Sequence, residues 1–251
     1  MMAELAQARL QAIAHPRVLL VEGEDEVHFM GAMTTHLGLT DIDIRQFKGV
    51  TKLPSFLPNL KRTSGFNVVT SLGIIRDADS CPDSAFQSVA TILEQNGLNA
   101  PAAPVIRSQG TPAASVLILP DPGSHGALED LCLRSMPHDP ALECVDAFTD
   151  CIAAARERVA AELPKSRVRA FLISRELLEI DEYEAIRDCL ALQPPQNQDP
   201  ARLQSPAAAR IHLLLCGDFK PDIRLGESAE AGYWPLDDPA FQQLREYLRA
   251  F

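Results

Sequence analysis

Arg17-Val18-Leu19-Leu20-Val21-Glu22-Gly23-Glu24-Asp25-Glu26 is the stretch that decides the fold. Its apolar run, Val18 to Val21, is continuous rather than alternating. That is the pattern of a strand buried on both faces of a parallel sheet. The run ends in a carboxylate and turns at Gly23. Residues 25–36 then read as a helix whose first turn is acidic, as the positive end of a helix dipole favours. A buried strand feeding straight into a helix is the opening half of a β-α-β unit.

The pattern repeats outward from there. Residues 3–14, rich in Ala, Leu and Gln, read as a helix ended by His15-Pro16, because the residue before proline is pushed out of the helical region. Residues 41–47 alternate as a second strand, Lys48-Gly49 turns the chain, and 53–61 read as a helix with Pro54 in its first turn. Residues 67–76 form a third strand that ends at Asp77-Ala78-Asp79. Residues 82–96 form an amphipathic helix closed by Gly97, and 115–119 a fourth strand stopped by Pro120-Asp121-Pro122-Gly123. This alternation predicts an α/β fold, a mainly parallel sheet flanked by helices.

After about residue 125 the pattern changes. Residues 126–135, 140–163, 166–178 and 181–192 read as helices, and 193–206 as a polar, proline-rich loop. Residues 207–216 fit either helix or strand. Residues 239–249 read as a terminal helix capped by Asp237 or Asp238. The expected organisation is an α/β domain over 1–135 and a mainly helical C-terminal region over 136–251, with no internal repeat.

Composition narrows the function classes. The chain has 251 residues, 46% of them hydrophobic, enough for a substantial core. No apolar run approaches the roughly 20 residues of a membrane span. The acidic start, with Glu4, lacks the basic region of a secretory signal, so a cytoplasmic location is expected. The six cysteines, at 81, 132, 144, 151, 189 and 216, form no C-x-x-C pair and no Cys/His cluster of zinc spacing. They read as buried free thiols. Net charge is −11, against the basic footprint of an ordinary nucleic-acid binder. Bound cations at an acidic site reverse the sign locally.

Acidic residues fall where strands end: Glu22 after the first, Asp77 and Asp79 after the third, and Glu129-Asp130 early in the helix after the fourth. Open α/β sheets bind ligands beyond the carboxyl ends of their strands. In extended backbone, Asp77 and Asp79 would leave on the same side, and Glu22 would join them from the neighbouring strand. Glu26 follows Glu22 by four residues and can reach back from the first helical turn. Carboxylates held this close repel one another unless a cation or proton compensates. A hard divalent cation such as Mg²⁺ suits oxygen ligands and completes its shell with water and substrate phosphate. One or two such ions can activate water and stabilise a leaving oxygen at a phosphodiester. Singly, each acid also reads as a cap or a solvated turn residue.

Val21-Glu22-Gly23-Glu24-Asp25-Glu26 resembles the glutamate motif that opens TOPRIM domains, and Arg76-Asp77-Ala78-Asp79 resembles their Asp-x-Asp motif. Over nearly its full length the chain resembles the DUF3226 group, itself similar to OLD-type TOPRIM proteins. The marks are Leu119-Pro120-Asp121-Pro122-Gly123, Leu128-Glu129-Asp130-Leu131, Leu225-Gly226-Glu227-Ser228-Ala229 and Gly232-Tyr233-Trp234. The resemblance implies a TOPRIM-like sheet with a helical C-terminal extension and a Mg²⁺- or Mn²⁺-dependent nuclease acting on DNA or RNA. It implies Glu22 as general base or acid and metal ligand, and Asp77 and Asp79 as metal ligands. Glu26 stands where the group commonly carries Asp. Glu129, ahead of Asp130, supplies the downstream carboxylate, and Lys220 a charge-neutralising lysine. The resemblance leaves room for a separate ATPase partner, in phage defence or repair, and for a homo-oligomer. Two alternatives remain, a catalytically degenerate binding or regulatory subunit and a phosphohydrolase of a small phosphorylated molecule.

Other features exclude neighbours of that group. The tyrosines, at 183, 233 and 247, all lie in the helical tail, which argues against a topoisomerase. No zinc spacing suits a primase, and no G-x-x-x-x-G-K-[ST] marks an ATPase. Lys48 and Lys52 beside Gly49 read as surface charges or phosphate contacts. His28 reads as a packing or capping residue, and His125 as a loop residue bordering the crevice. Tyr233 and Trp234 are expected to anchor the tail to the core.

Overall fold

The computed structural model describes residues 11–156, 163–176 and 224–251. The chain forms two compact units, one of residues 1–137 with 225–251, the other of residues 138–224. The sequence pattern groups the last 27 or so residues with the helical remainder, whereas their contacts place them in the α/β unit.

In that unit the strands are β1 (Arg17–Val21), β2 (Ile42–Gln46), β3 (Ser71–Asp77) and β4 (Ala113–Leu119). They form one four-stranded sheet in the order β2-β1-β3-β4. Every pairing is parallel, with Leu19 opposite Ile44 and Gly73, and Asp77 opposite Leu119. The helices between them are α1 (Glu24–His36), α2 (Leu53–Lys61) and α3 (Pro82–Gln95), with α4 (Leu128–Arg134) after β4. A 3-10 turn, Phe66–Val68, occupies the start of the expected third strand, which begins at Ser71.

One face of the sheet carries Val18, Leu20, Leu72, Ile74, Val116 and Ile118 into a core with Leu53, Leu57 and Leu60 of α2 and Phe86, Val89 and Leu93 of α3. Continuous apolar strands require the opposite face to be covered too. The cover is α1 with the C-terminal segment, α7 (Leu225–Glu230) and α8 (Gln242–Ala250). The two helices between, α5 (Pro140–Arg156) and α6 (Leu163–Glu176), belong to the second unit.

The tail is held by backbone-directed bonds as well as by burial. The Tyr247 hydroxyl accepts from the Ile74 N–H at 3.1 Å and donates to the Ser115 carbonyl at 3.1 Å, so one buried phenol bridges β3 and β4. Phe251 stacks on Tyr247 and lies across Gly73, where a Cβ would sit 2.8 Å from its ring. Arg17 closes the end of α8. Its guanidinium donates to the carbonyls of Leu248 and Phe251 and lies 4.5 Å from the centre of the Phe251 ring. A cation at this end satisfies carbonyls that have no helical partner and meets the negative end of the helix dipole.

α7 crosses α1 closely enough that a Cβ on Gly226 would fall 2.3 Å from the Asp25 carbonyl oxygen. His28 and His36 of α1 reach Glu230 and Asp237 at 2.8 and 2.9 Å. Trp234 is buried and donates to the Ser228 hydroxyl at 2.7 Å. Asp238, not Asp237, caps the turn into α8 by accepting from the Ala240 N–H.

In the second unit α5 packs against α6, burying Val145, Val168, Phe171 and Leu172. Arg167 donates twice to one oxygen of Asp146. The helix expected at 181–192, the loop at 193–206 and the segment 207–216 lie outside the described residues, as does most of the helix expected at 3–14. Residues 11–14 are not helical, and Ile13 instead donates its N–H to the Ser64 carbonyl. Among the described cysteines Cys132 is buried, while Cys81 and Cys144 are exposed.

Tyr247→Phe tests this docking. It leaves the Ile74 N–H without its side-chain acceptor inside the sheet, at a cost of about 1–3 kcal/mol. A urea melt should show that loss, and an unchanged midpoint would mean that the tail is held by apolar burial alone.

Candidate metal centre

The order β2-β1-β3-β4 reverses the winding direction between β1 and β3. That is the switch point at which open α/β sheets leave a crevice at the carboxyl edge. Glu22 directly follows β1, and Asp77 is the last residue of β3. Glu26 lies in the first turn of α1, and Glu129 in the first turn of α4. All four are partly buried.

Asp77 is the centre of this group. Its Oδ1 accepts from the Leu128 N–H at 3.0 Å, which ties the end of β3 to the start of α4. Burial pushes its carboxyl well above the ordinary range, and the negative charges of Glu129, Glu26 and Glu22 push it further. Burial likewise raises Glu26, with Glu129, Glu22 and Asp25 adding to it. Carboxyls from the ends of β1 and β3 and from two helix starts therefore feel one another across one crevice.

Local chemistry explains how each is aimed. Gly23 has ordinary extended backbone, so its role is room: a Cβ there would lie 2.9 Å from Glu26 Oε2. The glycine lets the α1 carboxylate fold back over the turn. At α4 the two adjacent acids divide their work. Asp130 accepts from the Ala127 N–H at 2.9 Å and so closes the helix start. Glu129 is the one whose charge bears on Asp77 and Glu26.

Asp79 departs from the expectation that extended backbone aims it with Asp77. Its φ is +51°, in the left-handed region, and its side chain is exposed. Its backbone instead exchanges two hydrogen bonds with Gly126, each of 3.0 Å, pinning the segment after β3 to the loop before α4. The leading charges on Asp77 are Glu129, Glu26 and Glu22. His125 is exposed on the loop before α4, and Lys220 lies outside the described residues. Arg76 turns away to donate to the Ala85 carbonyl of α3.

The donor set is carboxylate oxygen throughout, which matches a hard divalent cation and not a thiol-seeking metal. The nearby Cys132 thiol is buried and pushed up by that burial, so it stays neutral. Among the described residues no three His, Cys, Asp or Glu side chains stand close enough together, as they are, to hold a metal ion. Uncompensated carboxylates repel, and a cation is what would draw them in.

These shifts set a sign for stability. A carboxyl whose native pKa is raised favours the folded state fully below the ordinary carboxylate pKa, near 4, and that contribution is lost as pH rises through the raised value. Without divalent cations the protein should therefore be less stable at neutral than at mildly acidic pH. Asp77→Asn should flatten that slope and raise the neutral-pH melting temperature. Equal slopes for the two proteins would show that Asp77 is not the strained group.

Residues 16–203 match a family described as "Protein of unknown function (DUF3226)". Among solved structures, the C-terminal region of the Burkholderia pseudomallei OLD protein is 15% identical, covering 94% of this chain and 98% of that one, with a TM-score of 0.39. The corresponding region of the Xanthomonas campestris pv. campestris OLD protein is also 15% identical, covering 94% of each chain, with a TM-score of 0.37. No curated protein matches the chain. The match over 16–203 spans most of the sequence, and the chain belongs to the DUF3226 family.

Proposed function

We propose that this protein hydrolyses phosphodiesters with the help of one or two Mg²⁺ or Mn²⁺ ions, as a nuclease of the TOPRIM type acting on DNA or RNA. The observation that supports the proposal is that Asp77 ends β3 at the β1/β3 switch point with the charges of Glu129, Glu26 and Glu22 all bearing on it. A fold does not keep such a group at a crevice for stability, since burying mutually repelling acids costs free energy.

Glu22, Glu26 and Asp77 would hold the cation, with Asp79 contributing from the rim and Glu129 from α4. A bound divalent cation supplies Lewis-acid polarisation of the phosphate and lowers the pKa of water. A cation bound there would favour the ionised form of Asp77, whose carboxyl burial otherwise pushes up. Glu22, directly after the buried strand β1, would serve as the base for the attacking water. Gly23 leaves room for Glu26 over the turn, and the Asp77 bond to the Leu128 N–H ties the start of α4, which carries Glu129, to the end of β3. The resemblance of the Glu22 and Asp77-x-Asp79 motifs to those of TOPRIM proteins supports a nucleic-acid substrate and leaves room for an ATPase partner. Among the described residues no helix is long and apolar enough to cross a membrane.

The test is cleavage of supercoiled plasmid and of total RNA with Mg²⁺ or Mn²⁺. The native chain should cut one of them, and Asp77→Ala should lower the rate roughly 100-fold or more, the scale of losing one charge-stabilising group. Metal binding without cleavage of any polynucleotide would favour a small phosphorylated substrate, to which the net charge of −11 is better suited. Absence of both would favour a degenerate binding subunit.

A further inference from the structure

We infer that the loop between β2 and α2, through Lys48 and Lys52, is where the backbone of a polynucleotide docks beside the acidic crevice. The inference rests on the phosphodiesterase reading above and names the element that holds its substrate.

The loop is built against the site. The Phe47 N–H donates to the Val21 carbonyl at 2.9 Å, and the Gly49 N–H donates to the Glu22 carbonyl at 3.0 Å. The second bond ties the turn to the very residue that opens the crevice. Lys48 itself has φ +63°, followed by Gly49 at +95°. A lysine in the left-handed region is uncommon and carries backbone strain that Asn or Gly would avoid. Its side chain is exposed, so packing does not account for that choice. The Lys52 N–H donates to the Gly49 carbonyl at 2.8 Å, which closes a 3-10 turn and places a second exposed lysine on the same loop.

Charge bookkeeping across the α/β unit points the same way. Arg17, Lys61, Arg107 and Arg245 are committed to backbone carbonyls, Arg45 to the carbonyls of Gln11 and Ala12, and Arg134 to Asp121. Arg62, at the far end of α2, and the exposed Arg249, in the last turn of α8 beside the carbonyls that Arg17 binds, belong to the opposite edge of the sheet. At the carboxyl edge Lys48 and Lys52 are exposed cations that make no side-chain hydrogen bond or ion pair among the described residues. A chain of net charge −11 must offer a polyanion some positive surface near its acids, and this loop is positioned to do so. Lysines placed this way contact phosphates and fix register without reading sequence.

The experiment is fluorescence anisotropy of the full chain with a labelled DNA duplex and a labelled single-stranded RNA, in Mg²⁺, over a series of salt concentrations. The variants are Lys48→Ala with Lys52→Ala, Lys48→Arg, Lys48→Gly, and Arg62→Ala as the opposite-edge control. Two lost phosphate contacts should weaken duplex binding roughly tenfold and lower the slope of log affinity against log salt by about 1.8. Lys48→Arg and Arg62→Ala should bind as the native chain does. Lys48→Gly should melt no lower than the native chain yet bind more weakly, separating charge from folding. Native affinity and salt slope in the double variant would overturn the docking loop while leaving the hydrolytic reading intact. Failure of the native chain to bind either polymer, with tight binding of a mononucleotide, would overturn both.

Discussion

A parallel sheet buried on both faces is the constraint on which the rest of this molecule depends. α2 and α3 cover one face, and α1 covers the other only together with the C-terminal segment. That segment returns from the far end of the chain to lay Tyr247 and Phe251 across β3 and to place Gly226 against the backbone of α1. The consequence reaches the site. α1 carries Glu26 and follows directly from Glu22, so the contact that fixes α1 also fixes the spacing of two of the crowded acids. Arg17 and Arg107 bind the end of α8 through its carbonyls, and Arg107 also reaches the Ser71 hydroxyl at the start of β3.

The second constraint is like charge. Asp77 stands at the end of a buried strand with three carboxylates bearing on it, and it pays part of that cost by accepting the Leu128 N–H. The same bond makes Asp77 both a structural residue and a candidate ligand, which is why substitutions there must be read against folding. Glu129 and Asp130 show how adjacent acids separate. One satisfies the helix start and the other faces the crevice. The Asp79–Gly126 pairing pins the segment after β3 to the loop before α4, and Asp79 itself is exposed at the rim.

Much of this was legible in the sequence. The uninterrupted run Val18–Val21, the turn at Gly23 and the repetition of strand and helix predict the parallel sheet, since burial on both faces removes alternation. Glu22, Asp77 and Glu129 stand out as candidates because strand ends are where crevices form, and their charges bear on one another in the structure. Other features are not local. That 225–251 belongs with the α/β unit depends on Tyr247 meeting Ile74, 173 positions away, which no periodicity reports. Asp79 was expected in extended backbone, and its left-handed φ follows from pairing with Gly126, a long-range contact. The preference for Glu129 over Asp130 is explained by a cap visible only once α4 starts at Leu128. Lys48 was readable as a surface charge or a phosphate contact. Its positive φ and the bond from Gly49 to Glu22 are what give it a place at the site.

Calorimetric titration of the metal-free full chain with Mn²⁺ near neutral pH, in two buffers of different ionisation heat, tests the central claim most directly. The account predicts saturable binding accompanied by proton release, because burial pushes the Asp77 carboxyl up and a bound cation would favour its ionised form, and loss of both in Asp77→Asn. No binding, or binding with unchanged affinity and proton release in that variant, would contradict a metal centre built around Asp77.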